Sequence, residues 1–235
     1  MVLDAYHGLH VRGSGGWLSW NLRHATCIFL VDEGHKIQVR SNIQKRVQIA
    51  KRKVFRAFIL PLWIGWFRWG NRVLSRLANR FRPRLHGSPP HFHTLDEFRK
   101  WWTAHTRWKS DPLGGVADIT ASLEHALWQW EHKGIFEDDC DGLAFVGAQC
   151  LRPLSDHNRC YVVTVVLDPF EFPSLKEGIQ MGAHVMCFFS HLGRWRVLSN
   201  TDVFPGEWDT FEDALLHNPY TAGHTILWYR VQEIS

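Results

Sequence analysis

The chain has 235 residues and a mass of 27.4 kDa, with 45% hydrophobic and 21% charged residues, 18 Gly, 10 Pro and 13 Trp. That length buries an ample core without a disulfide scaffold, and the composition excludes a wholly disordered, collagenous or coiled-coil chain. A net charge of +4 conceals a division: residues 34–95 hold 14 Lys or Arg and no Asp or Glu, whereas residues 96–235 hold 11 basic and 20 acidic side chains, a balance of −9. Such asymmetry predicts two regions with different partners.

Residues 1–40 show little sustained periodicity, and Gly13-Ser14-Gly15-Gly16 reads as a flexible break. Residues 41–85 form the basic part, expected as two helices broken near Pro61 to Gly65, because a proline inside a helix removes a donor and clashes with the preceding turn. In the second helix Arg68, Arg72, Arg76 and Arg80 recur every four residues beside an apolar stripe of Trp69, Val73, Leu77 and Phe81. An amphipathic basic helix suits an anionic membrane surface or nucleic acid phosphates; the competing reading is that the acidic part of the same chain neutralises it. Pro89 and Pro90 mark residues 86–93 as a linker, with a domain over 94–235.

That domain opens on Thr94-Leu95-Asp96-Glu97, a capping box, and a helix carrying Phe98, Trp101, Trp102, His105 and Trp108 on one face. A second helix is expected from about Thr120 to Lys133, ended by Gly134, and a third, short one from Cys140 to about Leu151. Tyr161 to Leu167, His184 to Phe189, Trp195 to Leu198 and Ile226 to Val231 have strand composition, and Thr210 with Asp213 caps a helix ending at Asn218. Helices first and a mostly antiparallel sheet afterwards predict an α+β fold.

The five cysteines, Cys27, Cys140, Cys150, Cys160 and Cys187, are widely spaced and form no C-x-x-C pair of the kind used for zinc or dithiol redox chemistry. A reducing, cytoplasmic setting is expected, peripheral to a membrane if the basic region docks there. No secretory signal is read in the first thirty residues. The longest apolar run, Ala57 to Phe67, is interrupted and shorter than the roughly 20 residues that cross a bilayer. Neither cofactor nor metal is expected.

Cys140 stands apart from the other cysteines. Asp139 is a good N-cap, so the cysteine lies at a helix N-terminus, where unpaired amides stabilise a thiolate. Asp138, Asp139 and Asp141 oppose that anion and favour an imidazolium beside it. A nucleophilic cysteine needs a base, and the base needs an orienting group. His184 opens an apolar strand where a polar ring is otherwise out of place. If Gly193 turns a hairpin, His184 faces the end of the next strand, near Asn200.

The runs Asp139-Cys140-Asp141-Gly142-Leu143-Ala144, Gly182-Ala183-His184-Val185 and Trp195-Arg196-Val197-Leu198-Ser199-Asn200 resemble, in order and spacing, the bacterial transglutaminase-like cysteine peptidases of the papain-like superfamily. The resemblance covers about residues 117–218. It implies a papain/transglutaminase-like core of helices packed on the sheet, with Cys140 as nucleophile, His184 as base and Asn200 as orienter. In that family the third residue is often Asp where this chain has Ser199, which leaves Asn200 and Asp202 as competitors. The Asp-Cys-x-Gly-Leu run also resembles papain-like cell-wall endopeptidases, whose third residue is frequently His; only His191 follows at such a distance. The expected activity is acyl transfer from a peptide or protein substrate by hydrolysis of a peptide or isopeptide bond, with amine transfer as the related outcome. The Cys140 amide and a donor from Gln129 or Trp130 would hold the oxyanion. The alternative is a non-catalytic binding module of the same fold that docks through the basic region.

Overall fold

The computed structural model describes residues 2–3, 8–13, 16–21, 26–31, 39–65, 70–110 and 120–234. The chain divides into two compact units, Met1–Trp63 and Ile64–Ser235. In the first unit, β1 (Val2–Leu3), β2 (Gly8–Gly13), β3 (Gly16–Asn21) and β4 (Thr26–Val31) make an antiparallel sheet in sequence order. Where a flexible break was expected, Gly13 pairs with Gly16; residues 14 and 15 lie outside the described residues.

Helix α1 (Val39–Val54) continues through a π-helical turn, Phe55–Ile59, into α2 (Leu60–Gly65). Within the expected break, residues 61–65, the helix passes Pro61 by a bulge and ends at Gly65. The Leu60 N–H reaches five residues back to the Phe55 carbonyl, and a widened turn just before a proline accommodates the ring and the missing donor without ending the helix. Arg68 and Trp69 of the expected stripe lie outside the described residues.

The second unit begins with α3 (Asn71–Phe81). Its inner face is tied to the segment before the next helices: Asn79 Nδ2 donates to the Thr120 carbonyl at 2.8 Å, and Ser75 Oγ accepts from the Thr120 amide at 3.1 Å. The expected linker is packed in the same way. Just before it the Leu85 amide donates to the Glu124 carbonyl at 2.9 Å, and within it Phe92 is buried against Phe98 and Trp101. Its prolines shape an extended strap rather than a domain boundary.

Next come α4 (Leu95–His105), β5 (Thr106–Trp108), α5 (Leu123–Lys133), β6 (Phe136–Asp138) and α6 (Cys140–Leu151). Thr94 caps α4 by accepting from the Glu97 amide, while the Glu97 carboxylate reaches one residue further back than a capping box requires, to the His93 amide. β5 and β6 pair in parallel over three residues. The main sheet is built from β7 (Cys160–Leu167), β8 (Ala183–His191), β9 (Arg194–Ser199), β10 (Asp202–Val203) and β11 (Ile226–Glu233), all antiparallel in the order β10-β9-β8-β7-β11. Between its strands lie α7 (Leu175–Met181) and α8 (Phe211–His217). Gly193, at φ 74°, follows Leu192 at φ 53° in the β8–β9 turn; two left-handed residues match the twist of the hairpin. The described residues form a mixed α+β protein.

Side-chain alternation gives the sheet two apolar faces. Val162, Val185, Cys187, Phe189 and Leu198 meet Phe98 and Trp102 of α4, Ala126 of α5, and Leu143, Val146 and Cys150 of α6. Val163, Val165, Leu167, Met186, Phe188 and Val197 meet Ala214 and Leu215 of α8. Each large side chain fully buried here contributes about 1.5–3 kcal/mol. Among the described residues no helix is long and apolar enough to cross a membrane.

Candidate active site

Cys140 is the first residue of α6, half-buried, and in no disulfide. Asp139 caps the helix, its side chain accepting from the Asp141 amide at 3.3 Å. The acidic neighbours are engaged in building this turn. Asp138 Oδ1 accepts from the Asp139 amide and Oδ2 from the Ala121 amide, both at 3.1 Å, and the Asp141 carboxylate accepts from the Thr120 hydroxyl. Gly142 is required beside them, because a Cβ there would overlap the Asp138 carboxylate. Carboxylates solvated by protein N–H and O–H groups carry much of their charge into those bonds.

Helix α6 runs back along β8. Gly147 lies against Leu198, whose strand partner is Cys187, while the Ala148 carbonyl accepts from the Cys160 thiol at 3.3 Å, and Cys160 pairs with Phe189. His184 is in phase with Met186 and Phe188, on the face opposite α6, at the very start of β8.

Two contacts define the His184 ring. Its Nε2 is hydrogen-bonded to Ser199 Oγ at 2.8 Å, across the β8–β9 pair. The Tyr220 ring lies against it, centroids 4.7 Å apart and planes at 53°. Tyr220 is also near enough to Cys140 for a thiolate charge to push the phenol's pKa up, adding to the larger effect of burial. One tyrosine thus neighbours both the helix terminus and the strand terminus. Protein surrounds the imidazole closely, and desolvation pushes its pKa down to about 4. It is neutral at pH 7. Desolvation thus works against the imidazolium expected from the acidic surroundings.

Tyr220 is positioned by the turn after α8. Asn218, buried, donates to the Ala214 carbonyl at 2.8 Å and accepts from the Tyr220 amide at 3.0 Å, and the Thr221 hydroxyl donates to the Leu215 carbonyl at 2.6 Å. The Tyr220 hydroxyl donates to the Met181 carbonyl at 2.5 Å, tying the turn to the end of α7 just before His184.

Asn200, expected to orient His184, occupies the β9–β10 turn at φ 53° and does not make the bond given by Ser199. Its backbone carbonyl accepts from the Trp102 indole at 3.0 Å, and its side-chain oxygen is buried with no hydrogen-bond partner among the described residues. Asp202 pairs with Ser199 across the same turn, and its exposed carboxylate lies 3.7 Å from Arg99. α4 thus grips the turn through Arg99, Trp102 and the Thr103 hydroxyl, which donates to the Thr201 carbonyl at 3.2 Å, and Ser199 is held where the turn begins. The expected oxyanion donors are used otherwise. The Gln129 carboxamide donates to the Glu137 carbonyl and accepts from the Glu137 amide, and the Trp130 indole donates to the His105 carbonyl at 2.9 Å. Among the described residues no cluster of three or more His, Cys, Asp or Glu is placed to hold a metal ion.

The sequence reading passed over Ser199 and Tyr220. Ser199 was visible as the residue standing where the resembling family often has Asp; Tyr220 follows Asn218-Pro219, which was read only as a helix end. No known protein family, curated protein or solved structure matches the chain.

Proposed function

We propose that the protein is a cysteine-nucleophile acyl-transfer enzyme with a papain/transglutaminase-like core, cleaving a peptide or isopeptide bond or passing the acyl group to an amine. The observation that carries this reading is a partly buried imidazole bonded to Ser199 and packed on the Tyr220 ring, with Cys140, at a helix N-terminus, within electrostatic reach of that tyrosine. Cys140 is the nucleophile, His184 the base and Ser199 the positioning residue.

With Nε2–H donating to Ser199, Nδ1 of His184 carries the lone pair that takes the Cys140 thiol proton. The sulfur attacks the acyl carbon, and the Cys140 amide at the N-terminus of α6 donates to the developing oxyanion. The carbon–nitrogen bond breaks as the imidazolium returns its proton to the leaving amine, and a thioester remains on Cys140. Water or a second amine attacks that thioester, gives its proton to Nδ1, and the thiol re-forms with it.

p-Nitrophenyl acetate tests this reading. The expected result is a burst of nitrophenol with an acetyl group on Cys140, abolished in Cys140→Ala and slowed in His184→Gln. Absence of acetyl-Cys140, with nitrophenol released only at the rate of exposed lysines, would make the fold a binding module instead.

A further inference from the structure

We propose that the basic helices 39–65 and 71–81 are an interfacial anchor for an anionic bilayer surface, independent of the chemistry at Cys140. Between residues 34 and 95 every formal charge is positive, so the complementary surface is anionic. What distinguishes a membrane from other polyanions is the apolar surface presented with the charge. In the run formed by α1, the π turn and α2, Val47, Val54, Phe58 and Leu62 recur at helical spacing and are exposed, Phe58 to 68% and Leu62 to 76%. Arg46, Lys51 and Lys53 are exposed on the same run. The run spans about 40 Å, long enough to lie along a membrane surface.

Helix α3 repeats the pattern within its own unit. Its Ser75 and Asn79 face is spent on Thr120. The other face leaves Val73, Leu77 and Phe81 exposed, the last to 87%, with Arg76 and Arg80 exposed beside them. The stripe is therefore not covered by the acidic half of the chain. Nucleic acid phosphates reward the arginines but leave Phe58, Leu62 and Phe81 in water, whereas a bilayer interface takes up both. A second copy would have to bring two uniformly positive surfaces together.

Flotation of the full chain with phosphatidylcholine vesicles, with and without phosphatidylserine, tests the proposal. Binding is expected to need the anionic lipid, and Phe58→Ser/Leu62→Ser or Leu77→Ser/Phe81→Ser should each lower the partition coefficient by roughly tenfold. Because these side chains are exposed, circular dichroism and thermal unfolding should match the parent. The proposal is overturned by absence of vesicle binding, or by vesicle binding that the serine variants leave unchanged. It is equally overturned if the chain binds RNA or DNA more tightly than vesicles, or forms a dimer that the serine variants dissolve.

Discussion

Cys140 and Cys150 sit at opposite ends of one helix and teach opposite lessons about the same side chain. Cys150 is fully buried, in a core that also holds Cys160 and Cys187, whose sulfurs are 3.5 Å apart. Desolvation pushes the Cys150 and Cys187 thiols far above their ordinary range, so they behave as small apolar side chains. Cys140, at the N-terminus, has polar neighbours, a tyrosine within electrostatic reach and a buried imidazole against that tyrosine. Position on the helix, rather than residue type, separates packing from chemistry.

The sharpest way to break this contrast is to alkylate the native protein. Iodoacetamide followed by peptide mass analysis should modify Cys140 more than about 100-fold faster than Cys150, Cys160 or Cys187, which should react only on unfolding. Comparable rates would erase the distinction. Next in size is Gly142→Ala, which forces a methyl into the Asp138 carboxylate and disrupts the bonds to Ala121 and Asp139. It should cost about 3 kcal/mol in urea unfolding.

Stability at acid pH sharpens the electrostatic side. Desolvation pushes the His184 pKa in the folded chain down to about 4, from its ordinary 6.5. Above 6.5 it is neutral in both states and costs nothing. As pH falls from 6.5 toward 4 the unfolded chain gains a proton the folded chain refuses, so stability is lost across that window, by roughly 3 kcal/mol at its end. His184→Gln should show a flatter stability curve between those values; parallel curves would mean that the imidazole is not desolvated. The smallest effect is positional. Ser199→Ala should lower the rate of Cys140 acylation about tenfold, while Asn200→Ala should change it less. The opposite order would return the orienting role to Asn200.

The parts of the fold written in local chemistry were legible. Asp139, Thr94, Thr210 and Gly193 announce caps and a hairpin through side-chain oxygens and backbone freedom, and the valine-rich strand at 160–167 announces a buried centre. Less visible were features that depend on what comes from far away. Residues 86–93 look like a linker until α4 supplies rings for Phe92. The helix ends at Gly65, within the range expected from Pro61 to Gly65, but sequence gives no sign of the π turn that carries it past Pro61. At the site, Cys140 and His184 could be singled out by their incongruity, a thiol at a helix start and an imidazole in an apolar strand. Ser199 has no such mark; its role depends on the β8–β9 register, and Tyr220 depends on how Asn218 folds the turn after α8.

The claim that Cys140 and His184 act as one unit is tested most directly by the pH dependence of Cys140 alkylation in the native chain and in His184→Gln. Coupling predicts that near neutral pH the variant reacts at least about tenfold more slowly at Cys140, with the difference shrinking as pH rises far enough to ionise the thiol without a base. Superimposable profiles for the two proteins would contradict the account and leave Cys140 as an accessible but unassisted thiol.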